Sequence, residues 1–287
     1  TALDHAVQRD VSPPFVPIAL SGEEKPYDDI PEQRMGGYWN IMINYVLGSG
    51  VFPPDSEYAT DIMHYQQQHG GLCMGMLKTH ETTEWFYQGD RKINDLYGMR
   101  YALTLQARDE PDRALVSFYG KLAQGFTRNT FIDCEGSDIK PLDEFGRYMY
   151  LPPNSAGNAN FLEQLRGLLV QDFDANDNGR ADTLRLAFDT PRDWLADGKA
   201  IRVKNAPTDF GNVSFSIQSS IAKQSVHAEI DLPSRSQAHA LLRLRLPGGL
   251  KVISAESAGK ALSIKDGQTI DLAGLSGKAS VDAKVGK

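Results

Sequence analysis

Residues 120–135, GKLAQGFTRNTFIDCE, decide how the chain is read, together with GGYWN at 36–40 and NDLYG at 94–98. Each stretch puts aromatic, amide or acidic side chains where a run of helical periodicity stops. Around them apolar residues recur at three- and four-residue spacing, the mark of an amphipathic helix. Over 38–47 these are Trp39, Met42, Ile43 and Val46; over 57–69 they are Tyr58, Ile62 and Tyr65. Pro53-Pro54-Asp55-Ser56 offers the second run an Asp or Ser cap. Further helices are expected over 72–85, after the break at Gly70-Gly71, and over 93–106, with Leu96, Met99 and Leu103 inward. Asp109-Glu110-Pro111-Asp112 is a strong start, with a cap candidate, early acids and proline in the first turn. Leu115, Phe118, Tyr119 and Leu122 then form the apolar face, and a last helix carries Phe161, Leu162, Leu165 and Leu169 after Asn154 or Ser155.

Working outward, 1–11 reads as the tail of a helix ended by Pro13-Pro14. Residues 15–34 hold Pro17, Pro26 and Pro31 and read as a long loop, a class that often carries function. The helical half amounts to about six or seven helices with Gly- and Pro-marked turns, a pattern closer to an array of hairpins than to a four-helix bundle.

Near residue 165 the period changes to two. Thr183 to Phe188, Val213 to Ile217, Val226 to Leu232 and Leu242 to Leu246 each alternate apolar and polar residues, as half-buried antiparallel strands do. Turn signals at Pro247-Gly248-Gly249, Asp266-Gly267 and Ser276-Gly277 separate them, so about eight or nine strands of a β-sandwich are expected. One short helix interrupts, capped by Thr190 with Pro191 in first position. The expected organisation is multidomain α and β: helical hairpins over 1–168, then an antiparallel β-sandwich over 169–287.

Composition narrows the partners. With 287 residues, 41% hydrophobic and 23% charged, two domains can each bury a core. The formal charge of −7 argues against a nucleic-acid partner, which needs clustered Lys and Arg. No apolar run approaches the roughly 18 residues of a membrane span. The chain opens on Thr1 rather than Met, which is expected of a processed or excised chain. Cys73 and Cys134 lack a metal-type or redox-type spacing and are expected as two buried thiols, the alternative being a disulfide between them. His64, His69, Cys73 and His80 match no zinc pattern.

For chemistry, Glu135 follows the apolar Phe131-Ile132 and neighbours Cys134 and Gly136. A carboxyl partly withdrawn from water suits a general acid. Glycosidic hydrolysis pairs such an acid with a second carboxylate; Asp95 is the expected partner, with Glu57, Asp61 and Glu84 in reserve. Tyr38, Trp39, Trp85 and Tyr97, beside Asn40, His80 and Asn94, would supply a platform for flat C–H sugar faces and amides for hydroxyls. The competing reading of these aromatics is core packing. Asp174, Asn176, Asn178 and Asp182, with Gly179 at the turn, place oxygens at loop positions 1, 3, 5 and 9 of a calcium loop. Position 12 holds Arg185 where an EF-hand has Glu, so the pattern is nearer to the calcium loops of integrin-type propeller repeats. The alternative is an Asp/Asn/Gly hairpin that needs no ion.

GGYWN, Gly70-Gly71, NDLYG, FYGKLAQGFTRNTF at 118–131 and LPPNSAGNANFLEQLR at 151–166 resemble the six-hairpin glycosidase-like superfamily. The stretch from Thr183 to Ile217 resembles the sandwich that follows the helical toroid in those proteins. The resemblance implies a partial (α/α)6 toroid, represented by its C-terminal helices, and action on glycosidic bonds of a carbohydrate substrate. It also implies partnership with the missing N-terminal helices, from the same protein or a companion chain, and a periplasmic or secreted location. Two other functions use the same residues. One is a non-catalytic carbohydrate-binding or structural module; the other is a polysaccharide lyase, with Tyr97 or Tyr101 as base and Arg100 neutralising a uronate.

Overall fold

The computed structural model describes residues 1–21, 23–79, 92–93, 96–138, 149–233 and 239–287. The chain forms two compact units, Thr1–Leu165 and Arg166–Lys287. The mixed α and β class is as expected: a mainly helical unit, then a β-sandwich. Its pairings among the described residues are antiparallel except for one, His239–Arg243 with Thr183–Leu186, where antiparallel pairing throughout is expected.

The first unit contains α1 (Ala2–Ala6), α2 (Arg34–Ile43), α3 (Glu57–Gln68), α4 (Met99–Ala107) and α5 (Pro111–Gly120), and most of α6 (Ser155–Leu169). Ser56 caps α3, its hydroxyl accepting from the Ala59 N–H. Pro111 opens α5, but the residue before it is Glu110, whose carboxylate is spent on Arg108 and Arg113. Asp109, at the start of the 109–112 run, turns the chain at φ +59°. Beyond Gly120 the helix widens into a π-helical turn, Lys121–Gly125.

Trp39 is the centre of the core. It is fully buried, its indole N–H donates to the Val16 carbonyl at 2.9 Å, and Phe15, Tyr27 and Tyr65 surround its rings. Phe15 and Tyr27 come from the proline-rich 15–34 segment. The Tyr65 hydroxyl donates to the Tyr27 carbonyl and accepts from the Tyr27 N–H, both at 2.8 Å, and burial pushes that phenol up to about 12. The long loop is therefore a strap that completes the core.

The helix expected from residue 72 is not formed at its start. Leu72–Cys73 (β1) and Met76–Leu77 (β2) pair as a hairpin through Met74 and Gly75, both at positive φ. The hairpin lies flat on α5. A Cβ on Gly75 would come within 2.8 Å of the Ser117 backbone, and one on Gly120 within 2.4 Å of the Met74 carbonyl oxygen. That close packing favours the hairpin over a helix across 72–77, and residues 80–85 of the expected helix lie outside the described residues. Lys92–Ile93 (β3), Gly136–Asp138 (β4) and Met149–Tyr150 (β5) make a three-stranded sheet in the order β3-β4-β5.

The second unit packs two sheets over one core. In chain order its strands are β6 (Val170–Phe173), β7 (Thr183–Leu186), β8 (Ala200–Ala206), β9 (Val213–Ser220), β10 (Ser225–Leu232) and β11 (His239–Arg243). They continue with β12 (Lys251–Ser257), β13 (Lys260–Ala261), β14 (Ile264–Lys265), β15 (Thr269–Asp271) and β16 (Gly277–Gly286). One sheet runs β13-β12-β16-β10-β9-β8, all antiparallel; the other runs β14-β15-β11-β7-β6, with β11 and β7 parallel. Alternation does the work: in β9, Val213, Phe215, Ile217 and Ser219 point inward, and in β10, Val226, Ala228, Ile230 and Leu232 do. Each large apolar side chain buried this way contributes roughly 1.5–3 kcal/mol. Asp266 and Gly267 take positive φ in the β14–β15 turn, as the sequence signal requires. The expected short helix after Pro191 is a 3-10 turn, Arg192–Leu195.

Candidate functional site

Four segments far apart in sequence converge in the first unit. Tyr45 follows the end of α2, Tyr97 precedes α4, Glu135 precedes β4, and Tyr150 ends β5. The Tyr45 and Tyr97 rings meet edge to face with centroids 6.0 Å apart. The Glu135 N–H donates to the Tyr150 carbonyl at 3.0 Å, which fixes the strand register beneath the carboxylate. The Tyr97 phenol is held above its ordinary range, first by burial and then by the Glu135 carboxylate, with Tyr45 and Tyr150 adding to it. Tyr45 is exposed and Glu135 half-buried, so the group combines phenol rings with an accessible carboxylate.

Beneath Glu135 lies a buried ion pair. Lys121 Nζ, on the π-helical turn, is 3.1 Å from Asp133 Oδ2, and both side chains are shielded from solvent. Burial pushes the Asp133 carboxyl above the usual range, while the Lys121 ammonium pulls it back. Asp133 Oδ1 accepts from the Cys134 N–H at 2.9 Å, and the Asp133 carbonyl accepts from the Asn154 N–H. On α6, Gly157 gives the carboxylate its room, because a Cβ there would sit 2.1 Å from Oδ2. One residue thus ties the π-helical turn, the start of α6 and the segment leading to Glu135.

The other expected site residues divide. Tyr38 is on the exposed side of α2 under the Arg34 guanidinium. Trp39 and Asn40 are corrections to the expected sugar platform. Trp39 is core, as above. Asn40 is fully buried and donates to the Gly71 and Lys78 carbonyls while accepting from Gln66 Nε2. Their polar atoms are consumed by the fold. Asp95, His80, Trp85 and Glu84 lie outside the described residues. Of the reserve acids, Glu57 is exposed beside Arg9, and Asp61 is buried with its carboxyl raised, first by burial and then by Glu57. Neither phenol named for the lyase reading is poised as a base. Tyr97 is shifted away from ionisation, and the buried Tyr101 hydroxyl already accepts from Gln67 and Arg113. Arg100 donates to the Gly48 carbonyl.

No disulfide joins Cys73 to Cys134; Cys134 is buried, its Sγ 3.6 Å from the Gly125 carbonyl oxygen, whereas Cys73 is half-buried rather than buried as expected. In the second unit, the Asp174 carboxylate accepts from the Asn178 and Gly179 N–H groups, and Asp182 Oδ1 accepts from Ala175 N and Thr183 Oγ1. A further hydrogen bond from the Asn176 backbone reaches Asp182, and together these bonds close the loop as an Asx-type turn.

Periodicity alone misses Tyr45 and Tyr150. Tyr45 sits just past the helical face used for the Trp39 run, and Tyr150 falls in a stretch without regular pattern. Only pairing across β4 and β5 brings Tyr150 to Glu135.

No family model matches the chain, and no curated protein matches it. Among solved structures it is similar to a GH127 β-L-arabinofuranosidase from Geobacillus stearothermophilus T6, at TM-score 0.36 and 13% identity, covering 92% of this chain and 47% of that one. It is also similar to an α-L-rhamnosidase from Dictyoglumus thermophilum, at TM-score 0.39 and 12% identity, covering 86% of this chain and 25% of that one. The chain spans less than half the length of either structure. Neither likeness assigns a role to a residue here. Among the described residues, no helix is long and apolar enough to cross a membrane.

Proposed function

We propose that the helical unit belongs to a glycoside-hydrolase-like protein, with Glu135 as the proton donor to a glycosidic oxygen. The observation that carries this reading is the meeting of Glu135 with Tyr45, Tyr97 and Tyr150. A phenol ring offers a flat apolar face to a sugar's C–H groups and a hydroxyl to its rim. A neighbouring carboxyl can then deliver a proton to the leaving oxygen. Hydrolysis also needs a second carboxylate on the other side of the bond, and Asp95 is the residue proposed for it. The remaining helices of the catalytic half, from the same protein or a companion chain, and a periplasmic or secreted location belong to this proposal. Calcium on Asp174, Asn176, Asn178 and Asp182 is proposed as a stabiliser of the loop, apart from any chemistry.

The test is glycan release by the full-length parent on a panel of plant and bacterial polysaccharides, wild type against Glu135→Gln. The expected result is a fall of about two orders of magnitude or more with the fold intact, the scale of a lost general acid. Unchanged activity removes Glu135 from the mechanism. Binding without release, weakened by Tyr97→Ala, selects a non-catalytic carbohydrate-binding module.

A further inference from the structure

A second site lies wholly within the sandwich unit. Leu169, Trp194, Lys199, Ala200, Ile201 and Arg202 line an open pocket of about 410 Å3. That volume lies within the range of small-molecule sites, roughly 300–1,000 Å3. Local structure explains the lining. Trp194 projects from the 3-10 turn Arg192–Leu195, half-buried against the sandwich core, so part of its indole stays available. Ile201 points inward from β8, which leaves Ala200 and Arg202 on the opposite face of that strand. Lys199 and Arg202 are exposed and belong to the pocket lining, in a chain whose net charge is −7. The nearest acid in sequence, Asp197, is occupied in accepting from the Ala222 N–H at 2.9 Å.

An indole with leucine beside it takes a ring with an apolar face. Lys199 and Arg202, both in the pocket lining, supply an ammonium and a guanidinium for an anion, the guanidinium in two-pronged fashion. We infer that this pocket binds an acidic saccharide, a sugar ring carrying a carboxylate or sulfate. The site is independent of Glu135, and its success or failure leaves the proposed hydrolytic role untouched.

The experiment is a titration of the whole chain with a galacturonate trisaccharide, a sulfated galactose trisaccharide and the neutral galactose trisaccharide, followed by calorimetry and by tryptophan fluorescence. The expected result is binding of an acidic trisaccharide at least about tenfold tighter than the neutral one, the scale set by one lost charged contact. Arg202→Glu and Lys199→Glu should each abolish that preference. Both side chains are exposed, so the variants keep the fold, which circular dichroism verifies. Carboxylate and sulfate probes separate the two sources of negative charge. Equal affinity for all three sugars, no binding, or binding that survives both charge reversals would overturn the site.

Discussion

Asp133 sets its buried charge against Lys121 and the Cys134 N–H. Both side chains of the ion pair are buried, and removing one partner of such a pair leaves an ion in a poorly solvated place. Lys121→Met should therefore lower stability by about 3–5 kcal/mol. Adding Asp133→Leu to it should recover a large part of the loss. Urea unfolding of the three chains measures both effects, and a double variant as unstable as the single one would show that the pair is not the cause. The residue scale is also where sequence reading fell short. Trp39, Asn40 and Tyr38 are consecutive in type and setting, yet the fold turns Trp39 and Asn40 inward and leaves Tyr38 outside. A helical period locates a face; which face meets the core depends on Phe15 and Tyr65, one from a loop and one from another helix. Glu135 and Tyr97 are singled out by their local sequence, the one after an apolar pair and the other in NDLYG, but Tyr45 and Tyr150 come from other segments and leave no local trace.

At the scale of elements, the strands were legible and the short hairpin was not. Residues 213–217 and 226–232 alternate because one face is buried, and β9 and β10 follow that alternation. The β1–β2 hairpin has only two residues a side and is held by Gly75 against Ser117, a non-local contact. The β10–β16 pair carries a measurable electrostatic feature. His227 lies opposite Asp282, with Nδ1 2.7 Å from that carboxylate and Nε2 2.8 Å from Glu229. The two acids raise the His227 pKa above 6.5, with hydrogen bonding to Asp282 first. A raised folded-state pKa means that the folded chain holds the proton more tightly than the unfolded one. The stabilisation is thus complete below about pH 6.5 and is lost as pH rises through the elevated value. Thermal melts of wild type and His227→Gln should differ more at about pH 5.5 than at about pH 9. Because the imidazole is well exposed, salt should shrink the difference. A gap that grows with pH would reverse the assignment.

At the scale of the molecule, each unit has a core of its own. Trp39, Ile62, Tyr65 and Leu105 belong to one; Val170, Ile217, Leu242 and Val281 belong to the other. A chain of residues 155–287, which keeps α6 whole, should fold alone and melt cooperatively with a β-type far-ultraviolet spectrum. The same melt in millimolar calcium and in chelator tests the Asp174–Asp182 loop, where the proposed ion should raise the midpoint. A gradual transition would show that the sandwich depends on the first unit. This two-part organisation was legible because the apolar period itself switches, from the helical spacing of Phe161 and Leu165 to the alternation of Thr183 to Phe188.

The outermost strand of the six-stranded sheet has a consequence for crowding. β8 ends the sheet on one side, and the outer groups of such a strand are a template on which another chain's strand can grow. Here the pairing with β9 shifts register between Val203 and Ala206, and the exposed positions include Arg202 and Lys204. At the other side β13 is only Lys260 and Ala261. A newcomer would find either two residues to pair with or an irregular, positively charged rim, so this sheet resists edge-to-edge growth onto its own copies. The cations that ready one face for an acidic ligand also keep like from adding to like.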